Sequence, residues 1–149
     1  MSLEQEVELI RQVPLFSKIA PAMQKLLCFG SERLTYDPGQ NLVKVGEMAD
    51  AVYVIIEGSA DVTVPGPRGT VVVNTLGKND ILGEIAIFVD LPRTATVCAA
   101  TKVEALRISK DLFVNIVRQN PDAAIELIRI LATRLANTTQ QLIKHTAPK

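Results

Sequence analysis

Gly83, Glu84 and Arg93 bring three different chemistries into one short segment, Leu82-Gly83-Glu84-Ile85-Ala86-Ile87-Phe88 followed by Leu91-Pro92-Arg93-Thr94-Ala95-Thr96-Val97. Glu84 to Phe88 reads as a short helix. The first N–H groups of such a helix lack intrahelical acceptors, and a glycine just ahead of it lets an anion approach the backbone closely. A phosphate suits that cradle. Arg93, just before a strand-like run, can turn back on it and offer paired donors to phosphate oxygens. The Glu84 carboxylate supplies the opposite chemistry, accepting a hydrogen bond from a hydroxyl such as a sugar carries. Together the three select a phosphorylated sugar. Each also has a plainer role: Gly83 as a turn glycine, Glu84 as a favourable charge at a helix N-terminus, Arg93 as its ion-pair partner. Singly those roles suffice; the combination points to a ligand.

Three zones must position this segment within a single domain spanning 1–149. Residues 1–30 form a helical prelude: Leu3, Val7, Ile10 and Val13 recur at helical spacing until Pro14 breaks the run, and Pro21 with Met23 to Leu27 opens a second short helix. Residues 31–108 are strand-rich, with Val/Ile/Thr runs between turns at Asp37-Pro38-Gly39, Val45-Gly46-Glu47, Glu57-Gly58, Pro65-Gly66-Pro67 and Leu76-Gly77-Lys78. Val52–Ile56 and Ala60–Val64 flank Glu57-Gly58-Ser59 as a predicted hairpin, and Val71 begins another strand. Ala95–Ala100 and Val103–Ile108 read as a final strand pair. The phosphate-binding segment, 81–97, interrupts this alternation.

Residues 109–145 are helical again, with Ser109 as N-cap of one helix and Asn120 as N-cap of the next, Pro121 standing at its first position. From Pro121 to Lys144 no breaker intervenes. Ala124, Ile128, Leu131, Leu135, Thr138 and Leu142 step along it as a heptad seam, which packs either on the chain's own strands or on a second copy. The fold class expected is therefore α+β: a small antiparallel β-barrel or jelly roll flanked by N-terminal helices and a long C-terminal helix.

Leu82-Gly83-Glu84-Ile85-Ala86 and Pro92-Arg93-Thr94-Ala95-Thr96-Val97 resemble the phosphate-binding cassette of the cyclic nucleotide-binding domain family, in which Phe-Gly-Glu-(Leu/Ile)-Ala is followed after a short loop by Arg-(Ala/Ser/Thr)-Ala-x-Val. Val13-Pro14-Leu15-Phe16, Gly39, Gly46, Ala51-Val52-Tyr53-Val54-Ile55 and Gly58 extend the likeness over nearly the whole chain. Leu82 stands where the family usually has Phe, an apolar exchange that reshapes a pocket wall and leaves the phosphate chemistry intact. The resemblance implies that Glu84 takes a ribose 2′-hydroxyl and Arg93 the exocyclic phosphate oxygens, with backbone N–H groups of Gly83, Ile85, Ala86 and Ala95 completing the cradle. A threonine after the arginine, here Thr94, is associated in the family with acceptance of cyclic GMP, yet bacterial cyclic AMP binders carry Ser or Thr there too. Cyclic AMP is the favoured ligand.

Asn120-Pro121-Asp122, Arg134-Leu135 and Thr138-Thr139 further resemble the dimer helix of bacterial catabolite activators, where two adjacent hydroxyl residues touch adenine. Thr138 and Thr139 then either contact the base, one of them from a partner subunit, or are ordinary polar positions on an exposed helix face. Leu135 is a candidate apolar lid. The implied partners are a cyclic nucleotide, a second copy through the C-terminal helix, and an effector of unknown kind.

Composition bounds the alternatives. Sixteen basic and sixteen acidic residues leave a formal net charge of zero, which removes the broad attraction that non-specific nucleic-acid binding needs. No room for a helix-turn-helix module follows the long helix before Lys149, so no DNA reader is expected. No apolar run approaches the ~20 residues of a membrane span, and the acidic N-terminus is unlike a signal peptide, so a cytoplasmic place is expected. Cys28 and Cys98 read as two buried thiols rather than a disulfide. A single histidine, His145, argues against a multi-histidine metal site and a Ser-His-Asp triad. Neither a metal, a cofactor nor catalysis is expected; a ligand-free interaction module of the same fold is the alternative to a sensor.

Overall fold

The computed structural model describes residues 2–146, including the side chains of all but Ile85, Gln141, Lys144, His145 and Thr146. The chain opens with α1 (Leu3–Arg11) and α2 (Pro21–Gly30). Ser2 caps α1 through a reciprocal pair, its hydroxyl accepting from Gln5 N at 3.2 Å while its own N–H donates to Gln5 Oε1 at 3.0 Å. Eight strands follow: β1 (Ser31–Tyr36), β2 (Asn41–Val43), β3 (Ala51–Glu57), β4 (Ala60–Gly66), β5 (Gly69–Leu76), β6 (Ile81–Leu82), β7 (Thr96–Ala99) and β8 (Val103–Ser109). A short helix α3 (Glu84–Val89) lies between β6 and β7, and α4 (Lys110–Gln119) and α5 (Pro121–Thr146) close the chain.

The strands form two four-stranded antiparallel sheets, β1-β8-β3-β6 and β2-β7-β4-β5, stacked as a jelly roll. β3 is buried on both faces: Val52 and Val54 join Phe16, Leu27, Ile108, Phe113 and Leu127 beneath the helices, while Ala51, Tyr53 and Ile55 join Leu42, Val97 and Ala99 between the sheets. This is why β3 reads as a continuous apolar run instead of an alternating one.

Two strand pairings differ from the sequence reading. β3 and β4 flank Gly58 but lie in different sheets, as do β7 and β8, so neither is a hairpin. Gly58 sits at φ +94°, and a Cβ there would collide with the Lys102 carbonyl, so the two crossovers pack directly on each other. The hairpin is β4–β5, turning at Pro67-Arg68.

The helix ends carry one confirmation and one correction. Ser109 Oγ accepts from Leu112 N at 3.3 Å as the expected cap of α4. Asn120 reaches backward, donating from Nδ2 to Ile116 O at 2.8 Å, so its side chain closes α4 instead of opening α5. Along α5 the expected seam divides: Leu131 packs against the core, beside Ala123, Leu127 and Ile130, which lie outside the expected seam, whereas Ile128, Leu135 and Leu142 are all more than 60 % exposed. Cys28 and Cys98 are free and half-buried. No helix among the described residues is long and apolar enough to cross a membrane.

Candidate functional site

Gly83 turns the chain from β6 into α3 at φ +90°, φ space that L side chains rarely adopt, and a Cβ there would strike Arg93 Nη1. The glycine thus serves both the turn and the close approach of the arginine. Arg93 is 6 % exposed. Its Nη1 donates to Gly83 O at 3.2 Å and its Nη2 to Ala51 O at 2.8 Å, and its Cζ lies 5.9 Å from the centroid of the Tyr53 ring. Its backbone is pinned to the β2–β3 loop, Arg93 N donating to Glu47 O at 2.7 Å and Gly46 N to Arg93 O at 2.8 Å. Burial lowers the Arg93 pKa against the opposing influence of Tyr53, Asp50, Glu47 and Glu84; a guanidinium keeps its charge through such a shift.

Glu84, the first residue of α3, is 1 % exposed. Arg134 of α5 donates from Nη1 to Glu84 Oε1 at 2.5 Å and from Nη2 to Ile81 O. The plain reading of Glu84 as a partner for Arg93 is therefore corrected: its ion-pair partner comes from the C-terminal helix. Glu84 Oε2 is buried and has no hydrogen-bond partner among the described residues.

Burial raises the Glu84 pKa, outweighing Arg134, its own backbone hydrogen bond and Arg93, which lower it. A carboxyl whose pKa is higher folded than unfolded favours folding below the unfolded value of ~4.3, and that contribution is lost as pH rises through the folded value. The stability of wild type minus that of Glu84→Gln should accordingly fall as pH rises from the unfolded pKa and level off above the folded one, read by urea denaturation across the range. A difference that grows with pH would mean that Arg134 outweighs burial.

These groups open onto a cleft of about 840 Å³, within the range of small-molecule sites. Gly83, Glu84, Arg93, Thr94 and Ala95 line one part of it, and Val62, Val73, Leu76 and Leu82 give it an apolar wall. Arg134, Thr138 and Leu142, spaced four apart on one face of α5, line it from the helix. Ala86 also lines the cleft, and the Ile85 backbone lies in α3 beside it. Leu135 and Thr139 are exposed and do not line the cleft. Thr138 Oγ1 donates to Arg134 O at 2.9 Å. Among the described residues no group of three metal-ligating side chains occurs.

The sequence reading missed Arg134 and Tyr53 as parts of the site. Arg134 could have been flagged by its four-residue spacing from Thr138, once the inward face of α5 was known; nothing in the sequence marks Tyr53 beyond its place in a buried strand.

Several known proteins are similar to this chain. A cAMP-dependent protein kinase regulatory subunit of Yarrowia lipolytica is 36 % identical over 104 residues, covering 70 % of this chain and 27 % of that protein. A CRP-like cAMP-activated global transcriptional regulator of Mycobacterium tuberculosis is 26 % identical over 136 residues, covering 91 % of this chain and 61 % of that protein. The chain thus spans only part of the length of these relatives. A cyclic nucleotide-binding domain from Methylobacillus flagellatus shares the fold, with a TM-score of 0.80 at 20 % identity over 99 % of this chain and 85 % of that one. The sequence pattern of the cyclic nucleotide-binding domain matches residues 33–120, from β1 through the cassette to the end of α4. The chain belongs to the cyclic nucleotide-binding domain family.

Proposed function

We propose that this chain is a sensor that binds cyclic AMP in preference to cyclic GMP and passes the event on through α5. The observation that carries this reading is the Glu84 carboxylate beside Arg93 in the cleft, one oxygen held by Arg134 and the other buried without a donor. An unsatisfied buried acceptor costs roughly 1–3 kcal/mol, and a ribose hydroxyl is the donor that would relieve it. The cyclic phosphate then meets Arg93 and the free N–H groups at the start of α3, while the purine lies against the valines of β5 and under Thr138 and Leu142. The named activities of the kinase subunit and the mycobacterial regulator support cyclic AMP.

Arg134 ties α5 to the ligand's own acceptor, so ligand and helix share one carboxylate and the helix closes as a cap over the base. Ile128 and Leu135, seven residues apart and both more than 60 % exposed on α5, support a homodimer through that helix, with Leu135 and Thr139 serving the partner's site. The bound state is relayed to an effector, and the chain does no chemistry on the nucleotide.

The test is calorimetric titration of folded, nucleotide-free protein with cyclic AMP and cyclic GMP at 150 mM salt, with sedimentation velocity before and after. Micromolar or tighter binding, stronger for cyclic AMP, is the expected result. Absence of heat and of any thermal shift with either nucleotide would leave the fold as an interaction module.

A further inference from the structure

We infer that Tyr53 is a positioning residue for the phosphate-binding arginine, holding the Arg93 guanidinium from behind so that its unused N–H groups face the cleft. This rests on the reading of Arg93 as the phosphate ligand. Tyr53 stands in the middle of β3, opposite Leu82 of β6 on one side and Arg107 of β8 on the other. The two carbonyls that accept from Arg93 flank the same spot: Ala51 lies two residues earlier on the same face of β3, and Gly83 directly follows Leu82, the residue paired with Tyr53. The guanidinium is thereby held by two backbone oxygens and by the face of the Tyr53 ring, 5.9 Å from its centroid.

Both side chains are buried, Tyr53 at 8 % and Arg93 at 6 % exposure, so the attraction between cation and ring quadrupole is little screened by water. A guanidinium has five N–H donors in one plane. Two of them are used on Gly83 O and Ala51 O, and the ring closes one face of the plane without taking any more. The remaining donors are left for an anion.

Arg107, the β8 residue paired with Tyr53, has its guanidinium ion-paired with Asp50 at 2.9 Å and Glu32 at 3.3 Å.

The experiment is a mutant cycle read by titration with cyclic AMP. Tyr53→Leu, which removes the π face, should weaken binding about tenfold, whereas Tyr53→Phe, which keeps it, should change affinity by less than about threefold. In an Arg93→Ala background Tyr53→Leu should make less than about a twofold further difference, because no guanidinium remains to be held. Equal losses in both backgrounds, or equal losses for Phe and Leu, would overturn the assignment in favour of simple packing. If Arg93→Ala itself leaves cyclic AMP affinity unchanged, the phosphate reading of Arg93 falls, and the role of Tyr53 with it. Thermal melting verifies that each variant is folded, and Tyr53→Met serves in place of Leu should the latter not fold.

Discussion

Arg93→Ala should lower cyclic AMP affinity by about two to three orders of magnitude while leaving a folded protein. Removing one partner of a buried, hydrogen-bonded charge pair costs about 2–5 kcal/mol of binding, and every 1.4 kcal/mol is about a factor of ten. The same substitution strips Ala51 O and Gly83 O of their side-chain donor, so the ligand-free protein should lose roughly 1–3 kcal/mol of stability as well. Calorimetric titration and urea unfolding separate the two effects. Thermal melting of the variant verifies that it stays folded at the titration temperature, so that the binding loss is read on folded protein. Undiminished affinity would remove the arginine from the phosphate site.

Phe113→Ala should produce the largest stability loss of any single substitution considered for this chain. Phe113 is fully buried on α4 among Phe16, Leu27 and Ile116, and its ring meets Phe88 of α3 edge-on at 5.9 Å and 61°. Truncating such a side chain costs about 3–5 kcal/mol, part of it from the void left behind, and the aromatic pair contributes roughly 0.5–1.5 kcal/mol of that loss. Against a typical total of about 5–15 kcal/mol the effect is large. Urea denaturation should show a lower midpoint at unchanged slope. A loss under about 1.5 kcal/mol would mean that the surrounding helices collapse into the space. Because Phe88 belongs to the cassette helix, a smaller fall in nucleotide affinity should accompany the stability change.

How much of this was legible in the sequence depended on whether the relevant contacts are local. Gly83, Glu84 and Arg93 lie no more than ten residues apart, Arg93 in the loop after α3, so their convergence could be read from spacing, as could the Ser109 cap three residues from its donor. The partner of Glu84 could not: Arg134 is fifty residues away, and which helix face points inward is set by packing. A shift of one residue on α5 turns the face by about 100°, which is why the expected seam proved to contain positions from both the packed side and the exposed one. Gly58 misled for a related reason. A glycine turn between two apolar runs looks the same whether the chain folds back on one sheet or crosses to another; the Lys102 carbonyl beneath it decides. Asn120 was ambiguous because its amide can serve the helix before it or the one after; here Nδ2 donates to Ile116 O, which also accepts the Asn120 backbone N–H.

The ion pair between Arg134 and Glu84 joins a surface helix to the interior with a single carboxylate as the hinge pin. Thermodynamic reciprocity then constrains what can be attached to α5. If a nucleotide at Glu84 alters the helix's affinity for a partner by some factor, that partner alters the affinity for nucleotide by the same factor. On the proposed reading, an effector bound to α5 would help to set the nucleotide concentration at which the cleft fills, so that identical clefts attached to different partners would answer to different levels of the same messenger.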